Sequence, residues 1–377
     1  MKAFSDWFNQ NTDWIYNTFK KLHSLPEAGF CEFKTSEFIA GILGTHGWEV
    51  KRNFAQTAVL GIRRGDAPGP CVCLRSDMDA LTFTLDGKSK CIHACGHDAN
   101  MTEVLAVAAA ASDCGFPEKG TLMVLFQPCE EGMMGALSVV KSGVLKDVDY
   151  LIGTHLRPSL ELTTGACPAI IHGAMTVAKV TVHGKSAHGG RPKEGINAVT
   201  IGSEIVVNVA GIERTDGTPF SIKATRFNTA QGSVNIIPAE VEICFDIRAQ
   251  TNTCMEELKC ELQSICEAAC SKYGAVMNIE YTGGVPAAEL SPELIDAASD
   301  AIRRVYGNDG LHSPVVTPGG EDFHFYTREI PEIKATVLGF GAKMQNGLHN
   351  PDMTFDIKVL PLAARTLGET INILINK

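Results

Sequence analysis

Short apolar runs closed by polar residues recur through the first half of the chain: AVLGIRRG at 58–65, CVCLRSD at 71–77, TLMVLFQ at 121–127 and YLIGTHL at 150–156. Their length and composition predict buried strands. Helical periodicity at 13–23, 34–46 and 100–114 falls among them. Near the C-terminus, IKATVLGFG at 333–341 predicts one more strand, flanked by helices at 292–306 and 360–374. Apolar strands separated by helices predict an α/β domain with a mainly parallel sheet covered on both faces.

The middle of the chain changes period. AMTVAKVTVHG (174–184) alternates every second residue, KEGINAVTIGSEIVVNVAGIE is helical, and SIKATRFNTA and AEVEICFDIRA are strands with one polar face each. A further helix is expected to begin at Thr253, with Thr253 and Glu256 as a capping box. Leu258, Leu262, Ile265 and Ala269 give it an apolar face. AVMNIEYTGG closes the segment. The order β-α-β-β-α-β is the split ferredoxin-like unit. Residues 173–284 are therefore read as an inserted α+β domain, and 1–172 with 285–377 as the larger α/β domain.

A length of 377 residues accommodates both. The formal charge of −10, with no Lys/Arg run, argues against a nucleic acid or an anionic membrane as partner. The first twenty residues are amphipathic and carry Asp and Asn, unlike a signal peptide, and no apolar run is long enough to span a bilayer. Thirteen cysteines, an odd number without disulfide-type spacing, fit free thiols in a reducing, cytoplasmic setting.

Ligands of parallel α/β sheets bind beyond the carboxyl ends of the strands. LRSDMDAL puts Asp77 and Asp79 there, FQPCEEGMMG puts Glu130 and Glu131, GTHLRP puts His155 and GLHNPD puts His349. IHACGHDANM adds His93, Cys95, His97 and Asp98 at the entrance of an apolar helix. Singly, a carboxylate after a strand reads as a helix cap or a solvated loop, and a lone histidine as structural. Read alone, the HACGHD stretch fits a metal site, a cysteine nucleophile with its base, or a polar cap. Together, one thiolate, several imidazoles and several carboxylates at one sheet edge are what two divalent metals require. Adjacent glutamates let one bind metal while the other handles the proton of the attacking water.

In this order LRSDMDAL, HACGHDANM, FQPCEEG, GTHLRP, VTVHGKSAHGGRP, VNIIP, GGEDF and LHNPD span nearly the whole chain. The chain resembles the amidohydrolase branch of the aminoacylase/carboxypeptidase G metallopeptidase family, which includes hippurate and indoleacetyl-amino-acid hydrolases. Within it, the shortened link between Leu81 and His93 and the HLRP stretch are most similar to a compact bacterial amidohydrolase subgroup. The resemblance implies that Cys95, His97, Glu131, His155 and His349 bind two divalent metals (Mn, Zn, Co or Ni), with Cys95 bridging. It implies Glu130 as general base and then acid, and Asp79 as a residue orienting a ligand. His188 of the partner subunit would stabilise the oxyanion, the inserted domain serving as lid and homodimer contact. Asn235 and Arg248 would contact the substrate, an N-acyl amino acid or similar small conjugate. Asp98 is then expected to cap the helix behind the ligands, and His93 to be a loop or supporting residue.

Two departures, Arg157 in place of a frequent aromatic residue and the shortened link, bear on substrate choice. Cys129 is read as packing, and Cys254, Cys260, Cys266 and Cys270 as core rather than a second metal site, since they lack zinc-type spacings. The alternative within metal enzymes is a carboxypeptidase or dipeptidase. A cysteine hydrolase built on Cys95 and His97 would leave Glu130, Glu131, His155 and His349 without a role. A non-catalytic binding protein would be expected to lack ligands, and none of the expected set is missing.

Overall fold

The apolar runs pair into a seven-stranded sheet in the computed structural model, which describes residues 2–229 and 233–377. Its order is Glu49–Lys51, Val59–Arg64, Lys119–Gln127, Ala67–Asp77, Tyr150–Arg157, Lys334–Gly341 and Ala166–Cys167. The strands from Lys119–Gln127 to Lys334–Gly341 run parallel, and antiparallel strands close both edges. The parallel strands are buried along most of their length because helices cover both faces. Helix His97–Asp113 is buried from His97 to Ala111, which explains its alanine-rich, almost uncharged sequence.

This sheet belongs to one of two units, composed of Met1–Ile171, Glu289–Thr317 and Asp322–Lys377. The second unit is His172–Ala288 with the short return Pro318–Glu321. It carries an antiparallel sheet ordered Phe220–Thr229, Glu240–Ala249, Ala174–His183 and Val276–Val285. Buried and half-exposed residues alternate along Ala174–His183 and Glu240–Ala249, as the period-two pattern requires. Val180, Ile243 and Phe245 pack with Ile201 and Ile205 of helix Ala198–Ala210 and Leu258 and Leu262 of helix Asn252–Tyr273.

Several local expectations shift. The helix behind HACGHD begins at His97 rather than residue 100, with Gly96 at its cap position. Gly96 has φ 86, a left-handed conformation that a side chain would strain. The second helix of the inserted unit is capped by Thr251, whose side chain accepts from the Cys254 amide, rather than by Thr253. Cys254, Cys266 and Cys270 are buried as expected of core thiols, whereas Cys260 is exposed. The link between Leu81 and His93 is a hairpin, Leu81–Leu85 with Lys88–Ile92, turning at Asp86-Gly87 with both φ values positive. No helix among the described residues is long and apolar enough to cross a membrane.

Candidate metal centre

The strand ends deliver their polar residues to one place. Asp77 ends strand Ala67–Asp77, the glutamates follow Lys119–Gln127, His155 lies in Tyr150–Arg157, and His349 follows Lys334–Gly341. His97 opens the helix behind Cys95. Cys95 Sγ stands 3.6 Å from His155 Nε2 and 3.4 Å from His349 Nε2, and His349 Nε2 stands 3.5 Å from Glu131 Oε1. The potential ligand atoms of Cys95, His97 and His155 fall in one cluster within 4.8 Å of one another, and those of Cys95, Glu131 and His349 in a second. Cys95 belongs to both.

The donor set fits divalent cations. Two ligands at metal bond lengths of about 2.0–2.3 Å and tetrahedral angles stand roughly 3.5 Å apart. His97 Nε2 and Glu131 Oε1 are buried and make no hydrogen bond among the described residues. The opposite ring nitrogen of each buried imidazole is engaged. His97 Nδ1 lies 3.0 Å from the Asp79 carbonyl and 3.3 Å from its carboxylate, and His155 Nδ1 lies 2.6 Å from the Leu156 carbonyl. Such contacts fix the tautomer that leaves Nε2 free to ligate.

Charge around the cluster follows the same logic. Burial, then the Arg157 guanidinium, lower the His155 pKa to about 3, keeping the imidazole in its ligating neutral form. Burial pushes the Cys95 thiol well up. Burial opposes a charge on His97, but Asp77 and Cys95 outweigh it and raise its pKa. Cys95 and His97 would give up those protons to hold a cation.

Two buried residues organise the floor. Asp79 accepts from the Glu130 amide through Oδ1 and from the Glu131 amide through Oδ2, each at 3.1 Å. Glu130 Oε2 lies 3.8 Å from His97 Nε2. Arg75, 1% exposed, donates to Asp77 at 2.8 Å, Gln127 at 2.9 Å and Asp322 at 3.1 Å. Asp77 also accepts from Asn100 and lies 3.8 Å from His97 Nε2.

The profile of peptidase family M20/M25/M40 matches residues 73–373. The chain belongs to that family. It is a metal-dependent hydrolase of amide bonds. It is 32% identical to thermostable carboxypeptidase 2 of Saccharolobus solfataricus, over 85% of this chain and 84% of that one. It is 27% identical to N-acetyl-L-cysteine deacetylase of Bacillus subtilis, over 93% and 86%. Its fold superposes with a TM-score of 0.83 on Bacillus subtilis YXEP protein, described as a dinuclear metal binding peptidase, at 24% identity over 100% and 99% of the two chains.

The remaining residues singled out in this M20/M25/M40 chain divide between the units. Asp79, Cys95, His97, Glu130, Glu131, His155 and His349 lie in the first, and His188, Asn235 and Arg248 in the second. His188 and Asn235 are neighbours, the Asn235 carbonyl accepting from the Gly189 amide at 2.7 Å. His188 Nδ1 accepts from the Gly190 amide at 3.0 Å, so its proton sits on the exposed side of the ring at Nε2. Arg248 pairs with Asp246 at 3.0 Å and lines a cavity of about 160 Å³ with Ser221 and Phe220.

Asp98 does not occupy the cap position. It lies inside the first turn, accepts from the Ala99 amide and meets His23 Nδ1 at 2.6 Å. His93 is buried 6.4 Å, ring to ring, from His23. Cys129 lies outside both Cys95 clusters, its thiol pushed up to about 12 by burial and then by Asp79. Arg75 is marked in the sequence by LRSDMD, which repeats charge every second residue and in a strand puts Arg75 and Asp77 on one face.

Proposed function

We propose that the chain is a dinuclear metallo-amidohydrolase that cleaves the amide bond of N-acyl amino acids or similar small conjugates. One observation carries the reading: two ligand clusters that share Cys95. Cys95, His97 and His155 would hold one cation, and Cys95, Glu131 and His349 the other. When bound, such a pair supplies Lewis acidity to the scissile carbonyl and lowers the pKa of water.

Glu130 lies beside His97, is held by Asp79 through its amide, and has a carboxylate within 4.8 Å of the His97 and Glu131 ligand atoms, close enough to the cations to serve as the base. It takes the proton of the attacking water and returns it to the leaving amine. His188 of the partner subunit donates from Nε2 to the oxyanion in a homodimer. Asn235 and Arg248 contact the substrate, and the bidentate fork of Arg248 suits a carboxylate. Mn, Zn, Co and Ni all suit this donor set. The thirteen free thiols suit a reducing, cytoplasmic setting.

The deciding experiment reloads apo-protein with each metal and assays N-acyl amino acids beside dipeptides. Turnover of the acyl compounds that vanishes with chelator is expected. Activity indifferent to chelator would overturn the metal reading. Preference for dipeptides would favour the peptidase reading, to which the 32% identity with a carboxypeptidase lends weight.

A further inference from the structure

Three consecutive amides in the turn that carries the glutamate pair are held by two buried carboxylates. Asp79 takes those of Glu130 and Glu131, and Glu32 Oε1 takes that of Cys129 at 2.9 Å. We propose that Glu32 is a positioning residue, setting Glu130 and Glu131 through the Cys129 amide.

Glu32 is wholly buried, and its other oxygen accepts from the Thr57 hydroxyl at 2.6 Å. It stands at the cap position of helix Phe33–Thr45, yet its side chain makes no capping bond to that helix. Glu27 does this instead, accepting from the Lys34 and Thr35 amides at 3.2 and 2.9 Å. The Glu32 carboxylate is thus spent across the loop on the turn before Glu130.

The turn needs a holder. Cys129 has φ 52, a left-handed conformation that residues other than glycine rarely adopt. The loop around Glu32 lies flush against it: a Cβ at Gly29 would come within 2.8 Å of Cys129 Sγ. The same loop grips the neighbour of Asp79, since the Ala80 amide donates to the Glu27 carbonyl at 2.8 Å. One segment therefore touches the residues beside both Asp79 and Glu130. Keeping a carboxylate here opposes its own chemistry, because burial raises its pKa and nearby Asp79 adds to that. This segment precedes the family match, which begins at residue 73.

The proposal rests on reading Glu130 as the base, so its test includes a measurement indifferent to chemistry. Amide hydrogen exchange across 129–131 in the metal-free protein, and kcat and KM of the metal-loaded protein, are compared for Glu32→Ala, Glu32→Gln and Thr57→Val. Glu32→Ala should speed exchange at these amides and lower kcat by about 10–100-fold, with a smaller change in KM. Glu32→Gln still accepts from Cys129 and can donate to Thr57, so it should restore slow exchange and most of the turnover. Thr57→Val should fall between them, and it tests the same anchor should the alanine variant not fold. Unchanged exchange in Glu32→Ala and Thr57→Val overturns the proposal. A glutamine variant as impaired as alanine overturns it too, since charge rather than position would then be at stake. An active Glu130→Gln enzyme would sink the catalytic reading while leaving the exchange result standing.

Discussion

The amide of His349 donates to the carbonyl of Ala94 at 2.7 Å, tying the last loop of the chain to the residue before Cys95. His349 has φ 62, so its backbone is held in a strained conformation, and its ring meets the Cys95 sulfur. Both ends of the second ligand cluster are therefore positioned by backbone as well as by side chain.

The two glutamates should separate cleanly. Glu130→Gln keeps size and hydrogen bonding but removes the proton acceptor, so turnover should fall by about 10²-fold or more with metal content intact. Glu131→Gln should lose metal. Metal analysis beside steady-state kinetics checks this, and the reverse pattern would exchange the two roles.

Arg75 answers to two buried carboxylates. Replacing it with methionine leaves Asp77 and Asp322 without their cation and should cost about 3–5 kcal/mol in urea unfolding. A loss below about 1 kcal/mol would mean that the carboxylates find other partners.

Glu103 gives the stability a pH dependence. Burial pushes its carboxyl from 4.5 up to about 8, against a hydrogen bond from Thr154. The folded protein thus keeps a proton that the unfolded chain releases earlier. The stabilisation is complete below about pH 4.5 and drains away as pH rises through about 8. Glu103→Gln is neutral throughout, so it should gain on the native protein by up to about 1.4 kcal/mol per pH unit across that window. Unfolding free energies measured at several pH values test the slope, and parallel curves would refute it.

His188 should act across a dimer. His188→Ala is expected to lower turnover by roughly two to three orders of magnitude without loss of metal. Mixing it with Glu130→Gln should restore part of the activity, since a mixed dimer has one site with both residues intact. Failure despite proven subunit exchange would assign His188 to its own subunit, and a fully active monomer would exclude the arrangement.

The parallel sheet was legible because its strands are apolar enough to be buried on both faces, and the inserted unit because its period drops to two. Residue type and position brought Glu131, His155 and His349 to one sheet edge and Cys95 to a helix entrance, and the family resemblance implied them as ligands before their clustering could be seen. Other features depend on partners far away in sequence. Nothing in the sequence marks Glu32 until Cys129 and Thr57 are beside it. Asp98 looked like a cap because aspartate usually caps, but the left-handed Gly96 starts the helix earlier and leaves Asp98 to His23. Thr251 and Thr253 offer the same hydroxyl, and only the extended backbone at Thr251 decides between them.

The sharing of Cys95 also orders events during synthesis. His155 follows Cys95 by 60 residues, so the first cluster can close while the ribosome is still making the inserted unit. His349 follows by 254 residues. At about 5–20 residues per second the second cluster waits roughly 10–40 s longer. Until then the thiol can have at most two of its three imidazoles.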